Sequence, residues 1–131
     1  MNEPRWVMKA AALALHNEQL VEHGGAEGMR DETLFDSAMA KPQNVFAYEE
    51  DVTLPRLAAS YAFGIARNHA FTDGNKRTAL VVSVLFLNLN GWDIVAGKQE
   101  VLSTFLRLAE GSLSEQELTA WFTRHAMALT P

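Results

Sequence analysis

The segment His69-Ala70-Phe71-Thr72-Asp73-Gly74-Asn75-Lys76-Arg77 sets an imidazole, a carboxylate, a glycine turn and two cations immediately ahead of a long apolar run. If that run is a helix, its first amides have no partners within it and point back into the turn. Unpaired donors and the helix dipole both favour an anion there. Gly74 permits the backbone angles and close approach that phosphate oxygens require, and Asn75 is the natural N-cap residue. Lys76 and Arg77 place positive charge where a helix by itself prefers none, which makes sense if phosphates lie across the helix start. Asp73 is a hard oxygen ligand suited to Mg²⁺ shared with substrate phosphates. His69 has the side chain best suited to removing a proton near neutral pH. These parts together suit phosphoryl or nucleotidyl chemistry.

The elements that must position this loop read as helix after helix. The first is expected over Arg5 to His23, ended by Gly24-Gly25. A second, over Asp31 to Ala40, carries Asp31 and Glu32 at its positive end and turns Leu34, Phe35 and Ala38 inward. It should stop at Lys41-Pro42, because the residue before proline is pushed out of helical geometry. Gln43 to Val52 reads as an exposed loop with the acidic trio Glu49, Glu50 and Asp51. Thr53 should cap a third helix, Leu54 to Asn68, with Pro55 tolerated in its first turn. After the loop comes a fourth helix, Lys76 to Asn90. It is apolar nearly all round, and so is expected at the centre of a bundle. Trp92 to Ala96 should be briefly extended, and a fifth helix covers Gln99 to Ala109. The last starts at Ser114, with Glu117 completing a capping box, and runs to Met127, burying Leu118, Trp121 and Phe122.

The chain has 131 residues, 48% hydrophobic and 21% charged, which fits one domain able to bury roughly 70% of its extended surface. No cysteine is present, which excludes disulfides, thiol catalysis and cysteine-based zinc sites. The longest apolar run, Ala79 to Leu89, is too short to cross a bilayer and is broken by Ser83 and Asn88. The start, Met1-Asn2-Glu3-Pro4-Arg5, has no signal-peptide pattern, so the expected location is the cytoplasm, with no membrane contact. A formal net charge of −5 argues against DNA or RNA binding. Arg67, Lys76 and Arg77 nonetheless crowd the motif, and a basic spot in an acidic chain suits a small anion.

The motif resembles the signature of the Fic/Doc superfamily, His-x-Phe-x-Asp/Glu-Gly-Asn-x-Arg-x-x-Arg. Gly28-Met29-Arg30-Asp31-Glu32, Ala40-Lys41-Pro42-Gln43, Tyr61-Ala62-Phe63-Gly64-Ile65 and Phe86-Leu87-x-Leu89-Asn90-Gly91 are similar to the death-on-curing (Doc) branch. The resemblance implies a single all-α bundle of about six helices around the Lys76 to Asn90 helix. It makes His69 the base for a target hydroxyl, Asp73 the Mg²⁺ ligand, and Gly74, Asn75, Lys76 and Arg77 the phosphate-binding set. Phe71 becomes a buried anchor for the loop. Two departures from the wider pattern matter. Lys76 stands where AMP-transferring members usually have glycine, and Leu80 stands where they have a second arginine. Both are similar to the death-on-curing toxins, which bind ATP in the reverse orientation and pass its γ-phosphate to a threonine of elongation factor Tu. The resemblance thus implies a toxin kinase arresting translation, with ATP and Mg²⁺ required. The family's inhibitory Ser/Thr-x-x-x-Glu-Gly/Asn pattern is not met, since Leu106 and His23 stand at the required upstream positions. Inhibition in trans by an antitoxin segment that folds on binding near the motif is therefore expected.

Singly, these residues have plainer roles: His69 a polar helix end, Asp73-Gly74-Asn75 an ordinary turn, and Lys76-Arg77 a solvated pair. Their order and company argue for function. His16 and His23 are read as surface or helix-end residues rather than a metal pair, with a substrate-side role for His16 left open. His125 should be exposed, and Trp6, Trp92 and Trp121 should belong to the core. The competing functions are protein adenylyltransferase (AMPylation) or other nucleotidyl transfer, and a catalytically silent nucleotide- or antitoxin-binding module.

Overall fold

Small side chains decide which helix is enclosed. Over Leu54–Asn68 the chain reads LPRLAASYAFGIARN, and the alanines, Ser60 and Gly64 leave room for neighbours on every side. In the computed structural model, which describes residues 1–129, this helix is α3. It packs against α2 (Glu32–Tyr48), α4 (Asn75–Leu89), α5 (Lys98–Glu110) and α6 (Glu115–His125). A Cβ on Gly64 would stand 3.4 Å from the Cα of Ala38, so α2 and α3 touch nearly backbone to backbone. The remaining helix, α1 (Lys9–His23), lies against α4. Two short strands, β1 (Trp92–Ile94) and β2 (Ala126–Ala128), pair antiparallel with Asp93 opposite Met127. The described residues thus form the expected all-helical bundle of six helices.

The enclosed helix is α3, however, and not α4. One flank of α4 is covered by α3. On another flank Leu80, Val81, Val84 and Leu85 are only half-buried and line an apolar groove of about 470 Å³, with Leu15, Ile94 and Val101. A helix hydrophobic all round need not be central when part of its apolar surface is left open.

Three boundaries differ from expectation because tertiary contacts override local signals. Helix α2 continues through Pro42 to Tyr48. An interior proline costs about 3 kcal/mol. Here Pro42 and Val45 are buried and Phe46 meets the ring of Trp6, so their burial offsets the cost. The loop is therefore only the stretch 49–53, pinned where Glu49 accepts two bonds from Arg56. Arg56 also reaches Glu115, which pairs with Lys41. Helix α1 begins at Lys9 rather than Arg5, because the Arg5 N–H and C=O both bond the Asn90 side chain while the Val7 N–H donates to Tyr61. Helix α6 ends at His125 rather than Met127, since residues 126–128 pair with β1 instead. Other signals operate as read. Thr53 and Ser114 cap α3 and α6 with their hydroxyls, and Glu117 completes the box. Phe35 and Ala38 are buried as expected, but Leu34, expected to turn inward with them, is exposed. Trp121 is buried, and Trp6 and Trp92 pack on the core. His125 is half-buried, 4.8 Å from the Trp121 ring, rather than exposed.

Tyr61 sits in the middle of α3 with no exposed surface, and its hydroxyl accepts the Val7 N–H at 3.1 Å. Burial pushes the phenol up to about 12, from an ordinary value of 10.0. The stabilisation from keeping it neutral is complete below pH 10 and is lost as pH rises through 12. Urea unfolding across this range should therefore show a steeper alkaline loss for the wild type than for Tyr61→Phe. At neutral pH the variant should be less stable by about 1–3 kcal/mol, because the Val7 N–H loses its acceptor.

Candidate functional site

His69 ends α3 in the left-handed region, φ 50°, a conformation for which histidine pays a smaller penalty than bulkier or β-branched residues. That corner sends Ala70–Thr72 out as an extended segment along the chain before α2. Phe71 forms an isolated bridge with Met29, the Ala70 carbonyl accepts the N–H groups of Arg30 and Asp31, and the Thr72 N–H donates to Gly28. Gly74, at φ 81°, then turns the chain into α4. The loop is thus held along one edge before any side chain contributes.

Side chains hold it from behind. Phe71 is buried, with its ring between Phe35, at 5.1 Å, and His16, stacked at 3.6 Å and 10°. Asn75 is not the N-cap expected from its type. Gly74 takes that position, and no side chain caps α4. The Asn75 carboxamide instead turns back along the loop, accepting the Phe71 N–H at 3.0 Å and donating to the Phe71 carbonyl at 2.9 Å. This closes the loop on itself and leaves the first amides of α4 free of side-chain caps. Asp73 is fixed at two points: its Oδ2 accepts the Ala26 N–H at 2.7 Å and its carbonyl is bonded to His16 Nε2 at 2.8 Å.

In front of the loop lies a cavity of about 330 Å³, lined by His69, Thr72 and the run Asp73 to Arg77, with Ala66 of α3 and Ala109 of α5. His69, Asp73, Gly74, Asn75, Lys76 and Arg77, all expected at the site, line this one space. Phe71 lies behind it in the core. The His69 side chain is exposed and makes no hydrogen bond among the described residues, so its ring nitrogens are open to a ligand. Lys76 is half-buried and Arg77 exposed. Arg67, expected to join them, is not part of the lining. Its guanidinium lies over the Phe63 ring at 5.3 Å, near Gly111. The cavity therefore offers two cations, one carboxylate and one imidazole, beside a helix start with uncapped amides. That combination suits a phosphorylated ligand.

The sequence reading missed three supports of the loop. His16, read as a surface or helix-end residue, is 6% exposed and shares with Ala12 and Leu20 the buried stripe of α1. That i, i+4 spacing was the available signal. The second support is the backbone N–H of Ala26. The third is Gly25, at φ 127°, where a Cβ would stand 3.2 Å from that of Asp73 and 3.0 Å from Leu20. The Gly24-Gly25 pair thus does more than end α1: it lets the chain pass close enough to grip Asp73.

The helical bundle and the loop belong to one particular family. The model of the Fic/DOC family matches residues 6–87, a stretch holding His16, the whole motif and most of α4, and the chain belongs to that family. It is similar to "Protein kinase doc" of Escherichia phage P1, 38% identical over 87 residues, which are 66% of this chain and 69% of that protein. It is also similar to "Toxin Doc" of Mycolicibacterium smegmatis (strain ATCC 700084 / mc(2)155), 40% identical over 77 residues, 58% of this chain and 59% of that one.

Replacing Asn75 by alanine removes both bonds to Phe71 and leaves that peptide without its partner. Urea denaturation should show a loss of about 2–6 kcal/mol, at about 1–3 for each of the two part-buried groups left unpaired. Asn75→Asp keeps only the acceptor and should fall between alanine and wild type. Faster hydrogen exchange at the Phe71 amide is expected in the alanine variant.

Proposed function

We propose that this chain is the toxin of a toxin–antitoxin module and acts as a Mg²⁺- and ATP-dependent protein kinase. It passes the γ-phosphoryl group to a Ser or Thr hydroxyl of a translation factor, elongation factor Tu by resemblance, and so arrests translation and growth. The observation that carries this reading is the shared cavity of His69, Asp73 and the uncapped start of α4 with Lys76 and Arg77. In support, one similar protein is named a kinase and another a toxin.

In this reading the amides of α4, Lys76 and Arg77 hold the phosphate chain and concentrate positive charge on it. The target hydroxyl enters beside His69, a ring nitrogen of which takes its proton as the oxygen bonds to the γ-phosphorus and ADP leaves. The donor set fits a magnesium ion bound jointly with the nucleotide. Asp73 uses Oδ2 on Ala26 and keeps Oδ1 for a ligand. Among the described residues no group of three or more His, Cys, Asp or Glu stands ready to hold an ion without phosphate oxygens. When bound, the ion would neutralise phosphate charge. Lys76 and Leu80 favour γ-phosphate transfer over AMP transfer. Lys76 lines the cavity at the position where AMP-transferring members have glycine, and Leu80, at the position of their terminal-phosphate arginine, lines the apolar groove instead.

The partner expected of such a toxin is an antitoxin segment that folds on binding. The groove along α4, with Leu80, Val81, Val84 and Leu85 half-exposed, has the chemistry to receive the apolar face of a helix. Val84→Glu should abolish neutralisation by the co-expressed antitoxin while growth arrest persists.

Incubation with ATP labelled separately at the α- and γ-phosphates tests the central reaction, with elongation factor Tu as acceptor. Label should arrive from the γ-phosphate, and α-label on the acceptor would replace the kinase reading with AMP transfer. His69→Ala should keep the fold and lose about 10²–10⁴ in rate, the usual worth of a general base. Undiminished growth arrest by that variant would favour the silent binding module.

A further inference from the structure

His16 is a buried histidine that the reaction outlined above does not use, and its ring meets the loop at three points. Its ring lies flat on Phe71. A Cβ added to Gly74 would stand 3.4 Å from its Cδ2, so the ring also packs against that residue's backbone. Its Nε2 is 2.8 Å from the Asp73 carbonyl oxygen. A carbonyl only accepts, so Nε2 carries the hydrogen and donates it.

The consequence lies in the peptide that follows. The six atoms of a trans peptide are planar, and its C=O and N–H point in opposite directions. With the Asp73 carbonyl held toward α1, the Gly74 N–H must face away from α1. The cavity has that orientation: it is lined by α3, the loop, the start of α4 and α5, and by no residue of α1. We propose that His16 is a positioning residue which, by fixing the Asp73–Gly74 peptide, presents the Gly74 N–H to the phosphate chain of the nucleotide. This rests on the phosphate site proposed above and adds to it a donor ahead of the α4 amides. It also explains a polar ring inside an apolar stripe. Gly74 has no side chain and a left-handed φ, so nothing local keeps its peptide from rotating. The ring supplies that constraint, with Phe71 restricting the ring in turn.

Two substitutions separate the ring's parts. His16→Phe keeps the stack on Phe71 and loses the donor. His16→Gln keeps an N–H donor of similar reach and loses the stack. Inorganic triphosphate serves as probe, titrated into ¹⁵N-labelled full chain with the Gly74 amide followed by NMR. In the wild type that resonance should shift on binding. In His16→Phe the shift should disappear and affinity should fall about tenfold, as for a lost charge-assisted hydrogen bond. His16→Gln should recover affinity to within about threefold of wild type and restore the Gly74 shift. Wild-type affinity in His16→Phe would overturn the proposal. So would a loss in His16→Gln as large as that in His16→Phe with an unchanged unfolding midpoint, since keeping the donor would then restore nothing. If His16→Phe does not fold, the wild type still decides, because a Gly74 amide unmoved by triphosphate contradicts the assignment. Failure of γ-phosphate transfer would end the kinase reading alone, since none of these measurements requires turnover.

Discussion

The constraint on which this structure turns is that the start of α4 must stay uncapped and still be held in place. Most helices satisfy their first amides with a side chain, gaining about 0.5–2 kcal/mol. Here Asn75, the residue best suited to that work, has its carboxamide committed to the Phe71 peptide. Lys76 and Arg77 add a further penalty of about 0.3–1 kcal/mol each by opposing the helix dipole. Stability is given up at this point, leaving a helix start without a side-chain cap beside one cavity. Strain in the left-handed backbone of His69 belongs to the same pattern, since such conformations persist only where surrounding structure imposes them.

That imposition comes from elements distant in sequence. The pre-α2 segment pairs with Ala70 to Thr72, Ala26 holds the Asp73 carboxylate, and α1 contributes His16. Behind them stands the core around α3, whose small residues let α2 and α4 approach closely and so fix both ends of the loop. Phe71 joins the two layers: it is part of the core, and its backbone is the group that Asn75 grips. The rigid parts of the site are therefore those that face the interior. His69, Lys76 and Arg77 face outward, where a ligand would supply their missing partners.

Much of this was legible before any coordinates. Thr53 and the Ser114–Glu117 box mark helix starts by local hydrogen bonding, and local chemistry needs no tertiary context. The loop residues that line the cavity were identified except for Thr72, because a turn followed by a helix places consecutive residues together whatever else the chain does. The misreadings share one cause. Pro42, the Arg5–Met8 segment and residues 126–128 each carry a local preference that a contact made far along the sequence outweighs. Asn75 belongs with them, since its capping propensity lost to a peptide four residues back that is fixed only in the folded loop. The apolar character of α4 suggested a central position, but hydrophobicity cannot distinguish a face covered by protein from one left as a groove.

By itself, then, the sequence determined the family, the helical composition and most of the loop residues that share one cavity. These follow from short-range spacing: a histidine, a turn and two cations in one unbroken segment. Tertiary structure decided how that segment is aimed. His16, Gly25 and Ala26 reach Asp73 from 47 to 57 positions away, and side-chain type could not announce that contact. The physical reason is that a helix start exposes donors wherever it occurs, whereas directing them at one cavity takes packing from behind, and packing partners are chosen only when the whole bundle closes.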